Sequence, residues 1–231
     1  MGRLLGMKRV SSRELLDDDA GTPSEIAGAL ADIGFVNRYF GGVANTKRMI
    51  ERVARGTGQS AFSILDVASG TGETPQIVRA LIEPSGIHLQ LTLLDRRGTH
   101  MRDGERKVVA DALALPFRDN SFDLISCCLF VHHLGPDEVV RFAKDALRCC
   151  RLALLINDLV REPVHLATAY ASRLVCRSWL AWHDGIASVR QSYTPDEMRG
   201  LLEQSGAGRV EISRHWLFRM AAIAWKDAHV S

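Results

Sequence analysis

Ile64-Leu65-Asp66-Val67-Ala68-Ser69-Gly70-Thr71-Gly72 decides the fold of this chain. The apolar run 62–67 has strand character and delivers an acidic residue to its end. A Gly-x-Gly turn follows, then a helical segment at 76–82. Glycine lacks the Cβ that would hold a ligand off the backbone. The start of the following helix favours polar or anionic groups. A strand, a glycine turn and a helix in that order predict a nucleoside-bearing ligand lying across a sheet edge.

The same grammar repeats downstream. Residues 89–94 read as a second strand ending at Asp95, and 107–110 as a third ending at Asp111. Residues 122–128 make a fourth strand. Val139, Val140, Phe142, Ala143, Ala146 and Leu147 recur at helical spacing after Pro136, and 152–156 make a fifth strand. Strands alternating with helices predict an α/β fold: a Rossmann-like, seven-stranded, mostly parallel sheet with helices on both faces. Right-handed crossovers then gather the strand C-termini on one edge, where ligands bind. Residues 210–215 and 217–224 complete the count as a hairpin near the sheet edge, partly antiparallel.

Two stretches lie outside this rhythm. Upstream, Thr22 as a cap, Pro23 at a first helical position and Glu25 in the first turn open a helix carrying Ile26, Leu30, Ile33 and Phe35. Gly41-Gly42 breaks it, and a second helix is expected at 45–55. Residues 1–58 are thus an N-terminal helical cap, and 59–231 the main domain. Within that domain, 161–193 forms a helical, lid-like insertion rich in Trp, Tyr and His.

Asp95 stands 23 positions after Gly72, the placement of a carboxylate that accepts ribose hydroxyls. A dinucleotide fingerprint needs a third glycine at position 75, and Pro75 stands there. An NAD(P)-dependent oxidoreductase is the alternative this weakens. A noncatalytic cofactor-binding protein of the same fold is the other alternative.

The motif set resembles class I S-adenosylmethionine-dependent methyltransferases. Residues 65–72 look like the first family motif, Leu93-Leu94-Asp95 the second, and 110–117 the third. Residues 120–126 with Leu129-Phe130-Val131-His132-His133-Leu134 look like the fourth-strand block. The subgroup is similar to ubiquinone/menaquinone-biosynthesis methyltransferases, which act on small molecules. The resemblance covers about residues 60–158 and implies S-adenosyl-L-methionine as cofactor. It assigns Asp66, Ala68, Ser69, Gly70, Thr71 and Gly72 to the methionine half. Asp95 and Arg96 follow at the ribose, Asp111 at the adenine amino group, and the Ala112 amide at the ring. Cys128 falls where the chain passes the methyl donor. One departure is Arg148-Cys149-Cys150-Arg151, where the family often has Lys-Pro-Gly-Gly.

Methyl transfer is an in-line displacement that rests largely on alignment and desolvation. An acidic O–H acceptor must still lose its proton, and histidine suits that task. His133 after strand four is the first candidate, with its neighbour His132 competing for the same pocket. His183 in Trp182-His183-Asp184-Gly185 is the second, with Asp158 as orienting carboxylate or as an alternative base. Structural or capping roles for these residues compete with catalysis. Asp123, at the start of strand four, is expected to be structural. Tyr170, Trp179 and Trp182 are lid packing or walls of an apolar acceptor site. The expected acceptor is a small hydrophobic or aromatic molecule: phenolic, a quinone precursor or polyketide-like, methylated at O or C.

Composition argues against other classes. The 231 residues are 46% hydrophobic and 24% charged, with net charge +2. Such balance supplies no basic field for nucleic acid. An Asn/Asp-Pro-Pro-aromatic motif of nucleic-acid amino methylation is missing after strand four. No apolar stretch is long enough to span a bilayer, so no stable membrane insertion is expected. The five cysteines show no Cys-x-x-Cys or Cys/His ligand spacing, so neither a disulfide framework nor a metal site is expected. Reduced thiols and no secretory signal point to a cytoplasmic protein, and a monomer or homodimer is expected.

Overall fold

The computed structural model describes residues 7–12, 14–16, 21–98, 101, 104–174 and 178–227. Cys176 and the acidic run 17–19 lie outside the described residues. Two helices come first, α1 (Pro23–Tyr39) and α2 (Gly42–Thr57). There follow β1 (Ala61–Val67), α3 (Glu73–Ile82), β2 (His88–Asp95), β3 (Arg106–Val109), β4 (Phe122–Cys128), α4 (Pro136–Cys149) and β5 (Cys150–Leu159). The chain then forms α5 (Pro163–Ala171), α6 (Trp179–Gln191), α7 (Pro195–Gln204), β6 (Arg209–His215) and β7 (Arg219–Trp225).

The seven strands lie in the order β3-β2-β1-β4-β5-β7-β6. All are parallel except β7, which runs antiparallel to both β5 and β6. The expected hairpin near the sheet edge is present: β7 lies between β5 and β6, and β6 is the edge strand. Burial explains it. Every residue from Arg219 to Trp225 is buried, so β7 needs cover on both faces, whereas β6 is only partly covered. The connecting turn holds Leu217 and Phe218 at φ 60° and 58°, the paired left-handed conformation of a tight hairpin.

The helix starts follow their signals. Thr22 and Glu25 form a reciprocal capping box with Pro23 in the first turn, and Thr194 and Glu197 do the same for α7. Asp123 is structural: its carboxylate accepts from the Ser63 amide and hydroxyl and pairs with Arg151. Helices α4 and α7 cover one face, burying Val139, Phe142, Ala143, Met198 and Leu202 against Leu154, Ile156 and Met220. On the other face, α2 sets Val43, Met49, Ile50 and Val53 against Phe62, Ile64, Leu155 and Trp225. Residues 1–58 are thus not uniform. The helix α2 belongs to the core, while α1 buries only Ala29 and Asn37.

Candidate active site

The ends of β1, β2 and β3 meet as expected. Asp66 is buried at the end of β1, and its Oδ1 accepts from the Ser126 hydroxyl at 2.6 Å. Burial pushes its pKa up to about 7, the Ser126 bond opposes this, and the negative Asp95 adds to it. A buried carboxylate so placed could hold a cationic ligand. Ala68, Gly70 and Gly72 turn with φ of 53°, 52° and 73°. The two glycines serve different ends. A Cβ on Gly72 would collide with Leu93, whereas one on Gly70 would meet nothing within 4 Å. Open backbone at Gly70 is the cradle a ligand needs.

Asp95 is the hinge of this edge. Its Oδ2 accepts from the Gly70 amide and its Oδ1 from the Arg97 amide, both at 2.8 Å. The glycine turn and the second strand are thereby held in register. Ser69 is tied to Leu94 through its amide at 3.1 Å. Thr71 Oγ1 accepts from the Glu73 amide at 3.4 Å, and Arg96 is exposed just beyond β2. Asp111 is exposed, accepting from the Leu113 amide at 2.8 Å, with Ala112 half-buried beside it.

The ends of β4 and β5 carry different chemistry. His132 is buried, and its Nδ1 lies 2.6 Å from Asp158 Oδ1. Asp158 also accepts from the amides of His132 and Leu159. On the far side of the ring, His132 Nε2 lies 3.4 Å from Glu14 Oε1, and His133 Nε2 lies 3.7 Å from Glu14 Oε2. Burial alone would lower the His132 pKa. The charge and hydrogen bond of Asp158, then Glu14, outweigh that and raise it to about 10. His132 is therefore an imidazolium at neutral pH, locked between two carboxylates. Asp158 and Glu14 are both held below their ordinary values, because His132 overcomes the upward push of burial.

The expected pairing of Asp158 with His183 is corrected here: Asp158 faces His132. His183 lies within α6, not in a turn. It stacks on Trp179 at 5.3 Å between centroids and bonds to its neighbour Asp184 at 3.0 Å. The Asp184 carboxylate accepts the amides of Leu15 and Leu16 at 2.9 Å.

A strap formed by residues 7–12 and 14–16 crosses this half of the edge. Arg9 donates to the carbonyls of Gln191, His132 and Leu134, and Arg161 donates to Met7 O at 2.7 Å. Glu14 is the residue that no sequence pattern exposed, because it sits in a polar stretch without periodicity. Arg219 was missed too. It is fully buried at the start of β7, and its guanidinium reaches Asn37 Oδ1 at 3.0 Å and Cys128 Sγ at 3.6 Å. A lone arginine opening an apolar run was the readable signal. Burial pushes the Cys128 thiol up to about 11, against the pull of Arg219, so it is a neutral neighbour and no nucleophile. Cavities of about 310 and 550 Å³ lie at the β6–β7 turn and between α1 and α6. Neither is lined by Asp66, Gly70 or Asp95.

Residues 65–152 match the methyltransferase domain family. With this domain the chain is an S-adenosylmethionine-dependent methyltransferase, similar to the class I enzymes. The methyltransferase is 25% identical over 171 residues to a ubiquinone/menaquinone biosynthesis C-methyltransferase of Hahella chejuensis, covering 64% of this chain and 68% of that one. It is 24% identical over 176 residues to a demethylmenaquinone methyltransferase of Thermotoga maritima, covering 69% and 75%. The plantazolicin methyltransferase BpumL, solved in complex with SAH, shares the fold with a TM-score of 0.71 at 13% identity, covering 92% of this chain and 94% of that one. The oxidoreductase alternative falls with these matches. The methyltransferase uses S-adenosyl-L-methionine, and the open Gly70 backbone and the Asp66 seat fit a cofactor with a positively charged methionine end. No described helix is long and apolar enough to cross a membrane.

Proposed function

We propose that this methyltransferase acts on a small, largely apolar acceptor, phenolic, quinone-precursor or polyketide-like, at oxygen or an activated ring carbon. One observation carries the reading. The carboxylate–histidine cluster at the ends of β4 and β5 adjoins the cofactor edge: Ser126 of β4 bonds Asp66, and His132 follows that strand. An acceptor lying over β4 would have its O–H close to imidazoles and to the cofactor's methyl at once. The names of the two curated relatives support a quinone-like acceptor.

When bound, the cofactor supplies an electrophilic methyl group on sulfur. Asp66 would face its ammonium, and Asp95 its ribose. Gly70 to Gly72 would offer the backbone, with Ala68, Ser69, Thr71 and Arg96 around them, and Asp111 and Ala112 would meet the adenine. Arg219, held against Cys128 and Asn37, would bound the acceptor side. The acceptor's proton is handled at the Glu14–His132–His133 cluster. His133 is its more accessible member, with 23% of its side chain exposed against 3% for His132. Asp158 acts by orienting His132, and His183 serves the lid. The strap, α1, α5 and α6 would enclose the acceptor and exclude water. A cytoplasmic monomer or homodimer that binds no nucleic acid belongs to the same reading.

The test is unbiased labelling. The chain is incubated with S-adenosylmethionine labelled in the methyl group and with a cell extract. Label on a phenolic or quinonoid small molecule supports the reading. Label found only on protein or nucleic acid overturns it.

A further inference from the structure

We propose that Glu14, His132 and His133 form a binding site for a divalent cation of the zinc type, with a coordination position left for the acceptor oxygen. This rests on the acceptor reading above and names the agent that makes the oxygen anionic.

The ligand atoms of the three side chains lie within 4.8 Å of one another. Zinc bonds to histidine and carboxylate of about 2.1 Å place tetrahedral ligands about 3.4 Å apart. His132 Nε2 lies 3.4 Å from Glu14 Oε1 and His133 Nε2 lies 3.7 Å from Oε2, so each imidazole stands at about that separation from one oxygen of the same carboxylate. Both imidazoles present Nε2 to the same carboxylate, so one ion between them would meet all three. Two nitrogens and one oxygen from the protein, with a fourth position open, is the donor set of a catalytic zinc centre.

The surrounding shell has the matching form. Asp158 Oδ1 holds His132 Nδ1 at 2.6 Å, which directs the Nε2 lone pair away from Asp158 and toward Glu14. Glu14 Oε1 is anchored by the Ser188 hydroxyl at 2.6 Å and the Gln191 amide at 2.7 Å. These bonds fix the carboxylate without using Oε2. Glu14 and Asp158 bring two negative charges, which a divalent cation balances once it displaces the proton from His132 Nε2. The absence of ligand spacing in the sequence is no obstacle, because Glu14 is 118 positions from His132 and joins it only through the strap.

Bound to such an ion, an acceptor O–H loses its proton to water. Its oxygen lone pair then forms the bond to the methyl carbon as the carbon–sulfur bond breaks, and that electron pair stays on sulfur. No oxidant or reductant is involved.

The test is a titration of the untagged, chelator-treated full chain with zinc chloride, and separately with magnesium. One zinc per chain at micromolar affinity or tighter is expected, with magnesium far weaker. His133→Ala should weaken zinc by at least about 100-fold, and Asp158→Asn by about 10–100-fold. Cobalt substitution should give the intense visible absorption of a tetrahedral site. His132 is buried and its loss endangers folding, so the partly exposed His133 and a Glu14→Gln variant carry the test. Retained binding of S-adenosylhomocysteine reports that each variant is folded. Zinc affinity equal in the wild type, H133A and E14Q overturns the site. So does full methyl transfer in the zinc-free chain. Zinc binding does not depend on turnover, so a chain that binds zinc at these residues but labels no phenolic acceptor breaks only the functional reading.

Discussion

The two halves of the strand-end edge are built on different principles. At the ends of β1 and β2, the bonds are short in sequence: Gly70 and Asp95 are 25 residues apart, as are Ser69 and Leu94. At the ends of β4 and β5, the His132–Asp158 pair spans a similar 26 residues, but the partners that surround it come from far away. Glu14 meets His132 and His133. Asn37 meets Arg219 across 182 residues, and Asn157 holds the carbonyls of Gly41 and Gly42. The first half, the proposed cofactor seat, is a local strand–turn–helix unit. The second half, proposed to take the acceptor, is assembled from the strap, α1 and the last strand. A local unit can be shared among many enzymes, while a site stitched from remote segments can be varied piece by piece.

The sharpest way to break this division is at His133. His133→Ala should lower turnover by ~10²–10⁴-fold with little change in cofactor affinity, read by steady-state kinetics beside a binding titration. Equal losses in both would merge the two halves.

Asp158→Asn comes next. Breaking a buried charge pair costs roughly 3–5 kcal/mol, and Glu14 remains to hold His132, so about 3 kcal/mol is expected by chemical denaturation. The pH profile sharpens this in the metal-free chain. The His132 pKa is raised from 6.5 to about 10, so its contribution is complete below 6.5 and lost as pH rises through 10. The lowered carboxylates Asp158 and Glu14 contribute above their ordinary values of 3.8 and 4.5 and lose that as pH falls. Stability from the cluster is therefore greatest between about 4.5 and 6.5 and erodes on the alkaline side. D158N should flatten that alkaline loss, and an unchanged slope would place its source elsewhere.

On the cofactor half, Gly70 and Gly72 should separate. Gly72→Ala adds a clash with buried Leu93 to a left-handed φ and should destabilise the fold by about 1–3 kcal/mol. Gly70→Ala meets open space, so it should cost less stability and chiefly weaken cofactor binding. Thermal melts and titrations of both variants check the contrast.

The smallest effect concerns Asp66. Its raised pKa of about 7 means that a cationic ligand must find it ionised. Cofactor affinity should therefore fall as pH drops below 7, approaching about tenfold per unit well below it. Asp66→Asn should abolish the pH dependence, and calorimetry at pH 6 and 8 reads both.

This contrast also explains what the sequence made legible. The sheet, the glycine turn, Asp66, Asp95 and the capping boxes were readable because each depends on neighbours close in the chain. The strand β7 was counted as part of the edge hairpin, but its place inside β6 was not specified, since a buried apolar run shows that a strand is covered without saying between which partners. His133 was named as a candidate, but the Asp158–His132 pair and the intrusion of Glu14 were not foreseen. Nothing local in an acidic, aperiodic segment announces that one carboxylate folds back onto strand four. Arg219 was hidden by its apolar context in the same way.

The central claim is that the ends of the first two strands hold S-adenosylmethionine through Asp95. Titrating S-adenosylhomocysteine into the wild type and into Asp95→Ala tests it most directly, with NAD as a control. One site per chain is predicted, weakened by roughly 1.5–3 kcal/mol in the variant, the loss typical of a hydrogen bond to a charged group. NAD should give no response. Equal affinity in the two proteins, or binding of NAD without the adenosyl compound, would contradict the account.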